Sequence, residues 1–360
     1  MRILAYPRDD QNPYQRLLYG EMRRLGVRIS YLGQPTASHT LNLLLLPAEL
    51  AGHRATGARV VHIHWLYRFG LPGTGRFPAL RWLSQAWLTV WLWTARMLGL
   101  RLVWTVHNVL PHTQVFADDA RARRTLVRAC DLVLAHSPAA LTELAALGAV
   151  PRRSAVIPHG PMPPARPAAS LRTPGSGDGP RQFLFFGQVH EYKGVEDLLA
   201  AFTALPAGEA ARLTVAGQCD DPELRSRLGT LARGCGERVA LRLGHVPNDE
   251  VTPLLAAADV VVLPYRRITT SGSAMLALAH GRPLLVPDVA GLADLSRQAI
   301  VTYDRTREGL VAALTRLARA EGPALAEMSA AASACVAELS WPDIAARTMT
   351  EMGLTRGRCG

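Results

Sequence analysis

Apolar and polar positions follow two rhythms along this chain. Short apolar runs at 3–6, 28–32, 60–64, 102–107, 132–135 and 155–157 read as strands. Longer stretches between most of them, such as 14–25 and 138–147, space their apolar residues three and four apart and predict helices. The pattern restarts at 183–186, 212–216, 240–243, 260–263, 283–286 and 299–302. Strand alternating with helix predicts a parallel sheet with helices on both faces. Two turn-rich stretches separate the series: Gly160-Pro161-Met162-Pro163-Pro164, and a Pro/Gly/Ser run from Thr173 to Pro180. The predicted organisation is an α/β chain of two doubly wound domains, 1–160 and 181–340. A linker over 161–180 joins them, and a helix and tail over 341–360 follow, opening on Ser340 as N-cap with Pro342 in the first turn. Ligands of such sheets sit at the carboxyl ends of the strands, and two facing sheets would enclose a cleft.

Composition narrows the class. With 360 residues, 49% hydrophobic and 19% charged, the chain can bury two cores. The Ala, Arg, Gly and Pro richness follows GC-rich coding and carries little functional weight. The net charge of +11 suits an anionic partner: nucleic acid, anionic lipid or a phosphorylated small molecule. Neither zinc-finger spacing nor an aromatic RNA-binding strand is present, so no nucleic acid is expected. Cys130, Cys219, Cys235, Cys335 and Cys359 are scattered without CxxC spacing, which argues against a zinc site or a disulfide framework and fits a reducing cytosol. The first strand begins at once, with no signal peptide expected before it, so the expected location is cytoplasmic.

Lysine usage adds a site. Of 40 Lys and Arg residues only Lys193 is lysine. It lies in Phe186-Gly187-Gln188-Val189-His190-Glu191-Tyr192-Lys193-Gly194, between a strand run and a helix run. A compact ammonium beside amides at a helix start favours a diphosphate, with His190 as a second donor. A second loop, Pro264-Tyr265-Arg266-Arg267-Ile268-Thr269-Thr270-Ser271-Gly272-Ser273, leads into a small-residue helix at 274–279. It offers hydroxyls and amides for an anion, or simply a series of N-caps. His62 and His64 share one face of their strand, for packing or for chemistry.

Six of the seven tryptophans lie between Trp65 and Trp104. The segment 76–101 carries Trp82, Trp87, Trp91 and Trp93, with Arg76, Arg81, Arg96 and Arg101 towards its ends. Its apolar core is shorter than the ~20 residues of a spanning helix. It reads either as a dock on an anionic membrane surface, on the inner face of the plasma membrane, or as a buried helix of the first domain.

Three blocks, FFGQVHEYKGVEDLL, GHVPNDEVTPLLAAADVVVLPY and TTSGSAMLALAHGRPLLVPDVAGLADL, in this order and spacing, resemble the C-terminal half of a GT-B glycosyltransferase. The resemblance is nearest to glycosyltransferase family 4 and related bacterial polysaccharide and glycolipid enzymes. NPYQRLLYGEMRRLG, VVHIHWLY, WTVHNVLPH, DLVLAHS and VIPHG are similar to that family's first domain, so the likeness covers nearly the whole chain. It implies two Rossmann-like domains facing across a cleft, with the C-terminal helix crossing back to the first. The first would bind acceptor and the second the nucleotide sugar. Lys193 matches the lysine on the donor diphosphate. The arginine that accompanies it falls at Gln188, with His190 the nearest substitute. Val246, after His245, matches the loop on the nucleobase, and Ser271 and Gly272 match the turn whose amides meet phosphate or sugar. His107 matches a histidine beside the transferred sugar. The expected catalytic residues are therefore His107 and Lys193. The expected donor-binding set is Gly187, Gln188, His190, Tyr192, Lys193, Gly194, His245, Val246, Tyr265, Thr270, Ser271 and Gly272. The expected acceptor-binding set is Asn12, Tyr14, Gln15, His64, Trp65 and Asn108.

Two departures stand out. The family's glutamate pair falls at Ile268 and Leu276, which cannot hydrogen-bond a sugar. The chain also lacks an Asp-x-Asp metal motif, so the expected transfer is metal-independent, with Lys193 and helix amides holding the leaving diphosphate. The implied function is transfer of a hexose-type sugar from a GDP- or UDP-linked donor to a hydroxyl of a glycan, glycolipid or natural product. A non-catalytic GT-B subunit and a GT-B-fold nucleotide-sugar epimerase are the alternatives. A retaining route needs no protein base; an inverting one would draw on His107, His64, Asp9 or Asp10, with His107 first.

Overall fold

A computed structural model describes residues 1–10, 12–111, 113–162, 172–177, 179–206, 208–266, 271–288 and 296–354. Two compact units result: Met1–Gly160 with Ser340–Gly360, and Pro161–Leu339.

The first unit carries strands β1 (Arg2–Tyr6), β2 (Arg28–Tyr31), β3 (Val60–Ile63), β4 (Arg101–Val106), β5 (Leu132–Ala135) and β6 (Ser154–Val156). They form one parallel sheet in the order β2-β1-β3-β4-β5-β6. Its helices are α1 (Pro13–Arg24), α2 (His39–Ala55), α3 (Pro78–Met97), α4 (Asp119–Ala129) and α5 (Pro138–Ala146). Burial on both faces explains why these strands read as continuous apolar runs. One face, with Leu4, Val61, Leu102 and Val133, packs on α2, α3 and α4. The other, with Ile3, Val60, Val103 and Leu132, packs on Leu18, Tyr19 and Met22 of α1.

The second unit begins with β7 (Arg181–Phe186), α6 (Val195–Thr203), β8 (Ala211–Ala216), α7 (Pro222–Gly234), β9 (Val239–Arg242), α8 (Asn248–Ala257), β10 (Val260–Val262) and α9 (Gly272–Ala279). It continues with β11 (Leu284–Pro287), β12 (Ile300–Tyr303), α10 (Arg307–Ala318) and α11 (Gly322–Ala337). Its parallel sheet runs β12-β11-β10-β7-β8-β9 around a single core. That is the Rossmann order, whereas the first sheet carries the flavodoxin-like order, with its second strand outside its first. The last helix, α12 (Trp341–Glu351), lies with the first unit: Trp341, Ile344 and Met349 join the α1 face of the core. Trp341 covers Gly160 so closely that a Cβ there would lie 2.6 Å from its ring.

The stretch read as linker is held to the second unit at its end. The buried Asp259 carboxylate accepts from Arg172 Nη2 and the Gly175 amide, both at 2.7 Å, and from the Gln182 amide at 2.8 Å. Buried Arg282 donates to the Arg172 carbonyl at 2.6 Å. A buried carboxylate needs such partners, and meeting them fixes residues 172–175 to the second sheet.

Helix α3 joins the two readings of the tryptophan segment. Leu88, Trp91, Leu92 and Ala95 are buried, and Trp82, Leu83, Val90, Trp93 and Met97 are exposed.

Candidate functional site

Each sheet has one place where the strand order reverses, and ligands of open α/β sheets gather outside the strand ends there. In the first unit it lies between β1 and β3; in the second, between β7 and β10. Many of the predicted residues lie on the loops at these two places, whereas His245 and Val246 follow the edge strand β9.

At the second switch point the backbone is tightly nested. Gly187, at φ 137°, rests on the start of α9: a Cβ there would lie 2.8 Å from Ser273 Oγ. Gly194, at φ 68°, lies so near the Pro264 carbonyl that a Cβ would come within 2.0 Å of its oxygen. Only glycine takes this backbone without strain and this approach without a clash. The Arg266 amide donates to the Tyr192 carbonyl at 2.9 Å, which ties the two loops together. Ser271 caps α9 by accepting from the Ala274 amide at 3.1 Å and donates to the Tyr265 hydroxyl at 3.5 Å.

Lys193 is half-buried, with Nζ 3.8 Å from the Tyr265 ring centre and 5.3 Å from that of Tyr192. Burial works to lower its pKa, but the hydrogen-bonded phenols of Tyr265 and Tyr192 outweigh it and hold the ammonium charged. Burial likewise pushes the Tyr265 phenol up, and Lys193 with Ser271 and Ser273 brings it below its ordinary value. His190 stacks on Tyr192, its rings 5.6 Å apart, and is lowered by burial and by Lys193. Gln188 and His245 are exposed, while Val246 and Leu276 pack against the core. Thr270 and Ile268 lie outside the described residues.

The start of α6, next to Lys193, carries Glu196 and Asp197 in its first turn. Asp197 grips Arg266 at 2.8 and 3.1 Å, and Glu196 grips Arg227 at 2.8 Å. The first turn of α9 holds no acidic residue, so its amides are the ones that favour negative charge.

The first switch point is built from rings. His62, His64, Thr105, His107 and His136 continue the face of Val60, Val103 and Leu132 by two-residue steps, so the apolar face turns polar at its carboxyl edge. Tyr19 of α1 reaches His62 Nδ1 at 2.9 Å and His64 Nε2 at 2.6 Å. His64 Nδ1 meets His107 Nε2 at 3.0 Å, and His107 Nδ1 meets His136 Nε2 at 3.4 Å. Trp65 stacks on His107 at 4.5 Å, and Tyr14 sits edge-on to His64, His107 and His136. Burial drives His62 and His136 down to about 3 and His159 to about 4, and lowers His64 and His107 well below their ordinary value.

Three of the expected acceptor residues are buried by this packing. Gln15 is buried and uses both polar atoms on the loop after β1: Nε2 donates to the Pro7 carbonyl and Oε1 accepts from the Asp9 amide. Tyr14 and His64 are buried inside the ring cluster. All three shape the strand ends. Asn12 and Asn108 are half-exposed, and Trp65 keeps one edge at the surface. The carboxylates considered as bases are engaged: Asp10 pairs with Arg8 at 2.7 Å, and Asp9 accepts from Tyr67 at 3.1 Å. A cavity of about 400 Å³ opens beside them, lined by Tyr6, Arg8, Asp9, His39, Asn42 and Arg68. Among the described residues no group of three or more His, Cys, Asp or Glu is arranged to hold a metal ion.

Sequence reasoning missed Tyr19, Thr105, His136 and His159. The signal was present in the phase of the histidines after each apolar run, in VVHIH, WTVH, DLVLAH and VIPH.

Solved structures share this architecture across the chain. Sucrose-phosphate synthase from Thermosynechococcus elongatus superposes with a TM-score of 0.72, at 18% identity, covering 98% of each chain. Anabaena HepE in complex with UDP superposes with a TM-score of 0.68, at 15% identity, covering 98% of this chain and 99% of that one. Twin parallel sheets matched in this way give the chain the GT-B fold. Residues 180–320 match the family model described as "Glycosyl transferases group 1". A GDP-mannose:glycolipid 4-beta-D-mannosyltransferase of Xanthomonas campestris pv. campestris is 27% identical over 230 residues, 63% of this chain and 61% of that protein. The chain thus spans about three fifths of the length of that relative.

Proposed function

We propose that the chain transfers a hexose-type sugar from a GDP- or UDP-linked donor to a hydroxyl of a glycolipid or glycan, without a metal ion. The observation that carries this reading is the single lysine held charged between two tyrosines, on a loop nested against the acid-free start of α9. An ammonium and aligned amides are what a leaving diphosphate needs. The Xanthomonas relative, named for GDP-mannose and a glycolipid, and HepE, solved with UDP, support the donor class. His107, beside Trp65, would border the transferred sugar, and Asn12 and Asn108 the acceptor. A thermal-shift series with UDP, GDP and dTDP tests the donor site. One of them at a hundredfold its Kd should stabilise the chain by about 2.7 kcal/mol, and Lys193→Ala should abolish the effect. A wild-type melt that none of the three moves would remove the reading.

The acceptor side of the proposal is a lipid-linked sugar met at an anionic membrane surface. Trp82, Ala86, Val90, Trp93 and Met97 make one exposed stripe along α3, with Trp82 and Trp93 each 62% exposed. Trp87 Nε1 donates to the Leu43 carbonyl at 2.9 Å and joins this helix to α2, whose Leu41, Leu44 and Leu45 are also exposed. Among the described residues no helix is long and apolar enough to cross a membrane. Exposed Trp on an apolar face, in a chain of net charge +11, suits insertion at the headgroup level. His39 and Asn42 of α2 line the 400 Å³ cavity, so one helix serves both a polar cavity and the apolar face. Flotation with anionic vesicles should recover the wild type, and Trp82→Ala with Trp93→Ala should weaken partitioning by roughly a hundredfold. A folded wild type that stays with the soluble fraction would refute the dock.

A further inference from the structure

The histidines of the first unit form one hydrogen-bonded chain, and its direction can be read. The Ile157 carbonyl, 3.0 Å from His136 Nδ1, can only accept, so that nitrogen carries a proton. Burial without a carboxylate among the acting charges keeps these rings neutral, so each has one donor and one acceptor nitrogen. His136 Nε2 therefore accepts, and His107 Nδ1 donates to it. By the same step His64 Nδ1 donates to His107 Nε2, the Tyr19 hydroxyl donates to His64 Nε2, and His62 Nδ1 donates to the Tyr19 oxygen. The Thr105 hydroxyl, 2.7 Å from His62 Nε2, closes the series as donor. One carbonyl sets four tautomers.

The links are unequal. Those through Tyr19 span 2.6 and 2.9 Å, whereas His107 Nδ1 to His136 Nε2 spans 3.4 Å, near the limit of a hydrogen bond. The Nε2 lone pair of His107, the atom a general base would use, is occupied by His64. The Nδ1 proton sits on the weakest link of the chain, where a sugar or phosphate oxygen at normal distance would be a better acceptor.

We propose that His136, its Nδ1 fixed as donor by the Ile157 carbonyl, is a positioning residue that sets His107 as the Nδ1–H tautomer, so that His107 meets the sugar as a neutral hydrogen-bond donor and not as a base. The role towards sugar rests on the transferase reading above; the lock does not. The neutral rings at low pKa fit the same picture, since a charged imidazole anywhere in the series would carry two donors and reverse a link.

Side-chain nitrogen NMR on the whole chain labelled with 15N-histidine reads the lock directly. His107 should show a protonated Nδ1 and a bare Nε2, and should not titrate between about pH 5 and 8. In His136→Phe a ring stays and the accepting nitrogen goes, so the His64 and His107 shifts should move towards a mixture of tautomers. His136→Leu is the second variant should His136→Phe not fold, and it should release His107 in the same way. An Nε2–H tautomer at His107 in the wild type, a titration near its ordinary value, or shifts unmoved in a folded variant would each overturn the lock. In a donor-hydrolysis or transfer assay, His136→Phe should lower kcat roughly tenfold to hundredfold with KM for the donor little changed. His107→Gln, which keeps a donor, should retain more activity than His107→Ala. Equal loss in both would overturn the donor role. An inactive wild type with a locked tautomer would remove the transferase reading and leave the lock; an active wild type with an unlocked one would do the reverse.

Discussion

The two units share a parallel six-stranded plan and differ in what they place at the strand ends. The first gathers neutral rings: four histidines of one chain, Tyr19, Tyr14 and Trp65, each hydrogen-bonded or stacked to another. The second gathers charge: Lys193 against two phenols, and Arg266 against Asp197 at the start of α6. A buried polar group must find a partner, and the two units meet that demand in opposite ways. Imidazoles satisfy one another by staying neutral and directional. The ammonium keeps its charge because the phenol oxygens beside it favour the charged form. A neutral lattice fixes the direction of its hydrogen bonds; a held charge suits an anion.

Acid should break this comparison most strongly. His62 and His136 are held at about 3 and His159 at about 4, against an unfolded value near 6.5. Between those values the unfolded chain binds more protons than the folded one. Stability is therefore fully present above about pH 6.5 and is lost as pH falls towards the folded values. Each such histidine removes up to about 1.4 kcal/mol per pH unit, so the three together remove about 4 kcal/mol per unit. Hydrogen exchange followed from pH 7 to mildly acidic pH should show the first sheet losing protection before the second. Simultaneous loss in both would contradict it.

A glycine in the second unit gives the next effect. Gly194→Ala places a Cβ against the Pro264 carbonyl in a left-handed backbone, and should cost about 3 kcal/mol in denaturant melts of the second unit. It should also weaken nucleotide binding, since it parts the loop of Lys193 from the loop that leads to α9. Retained binding in the destabilised variant would separate nesting from recognition. The smallest effect is at the cap of α9. Ser271→Ala removes the acceptor for the Ala274 amide and should cost about 1 kcal/mol, leaving the first unit's acid sensitivity untouched.

Much of the fold was legible. Parallel strands buried on both faces are apolar along their length, and each of the twelve runs in the sequence forms one of the strands among the described residues. The strand order of the first sheet was not legible, because nothing in β2 alone says on which side of β1 it will pair. Lys193, Ser271 and His107 could be picked out from local context. Tyr19 could not: in α1 it occupies a position any core aromatic could fill, and only packing on β3 puts its hydroxyl between His62 and His64. The acidic first turn of α6 was written in the sequence as Glu196 and Asp197, but its consequence depended on Arg266 and Arg227, which arrive from other elements.

By itself the sequence determined the alternation of strand and helix, the nesting glycines and the residue types at each strand end, because periodicity and backbone freedom are properties of neighbours along the chain. Tertiary structure alone decided which histidine donates to which, which arginines meet the acidic start of α6, and which face of α3 is left exposed. Hydrogen-bond direction, local field and exposure depend on distances between residues that lie far apart in sequence, and folding sets those distances.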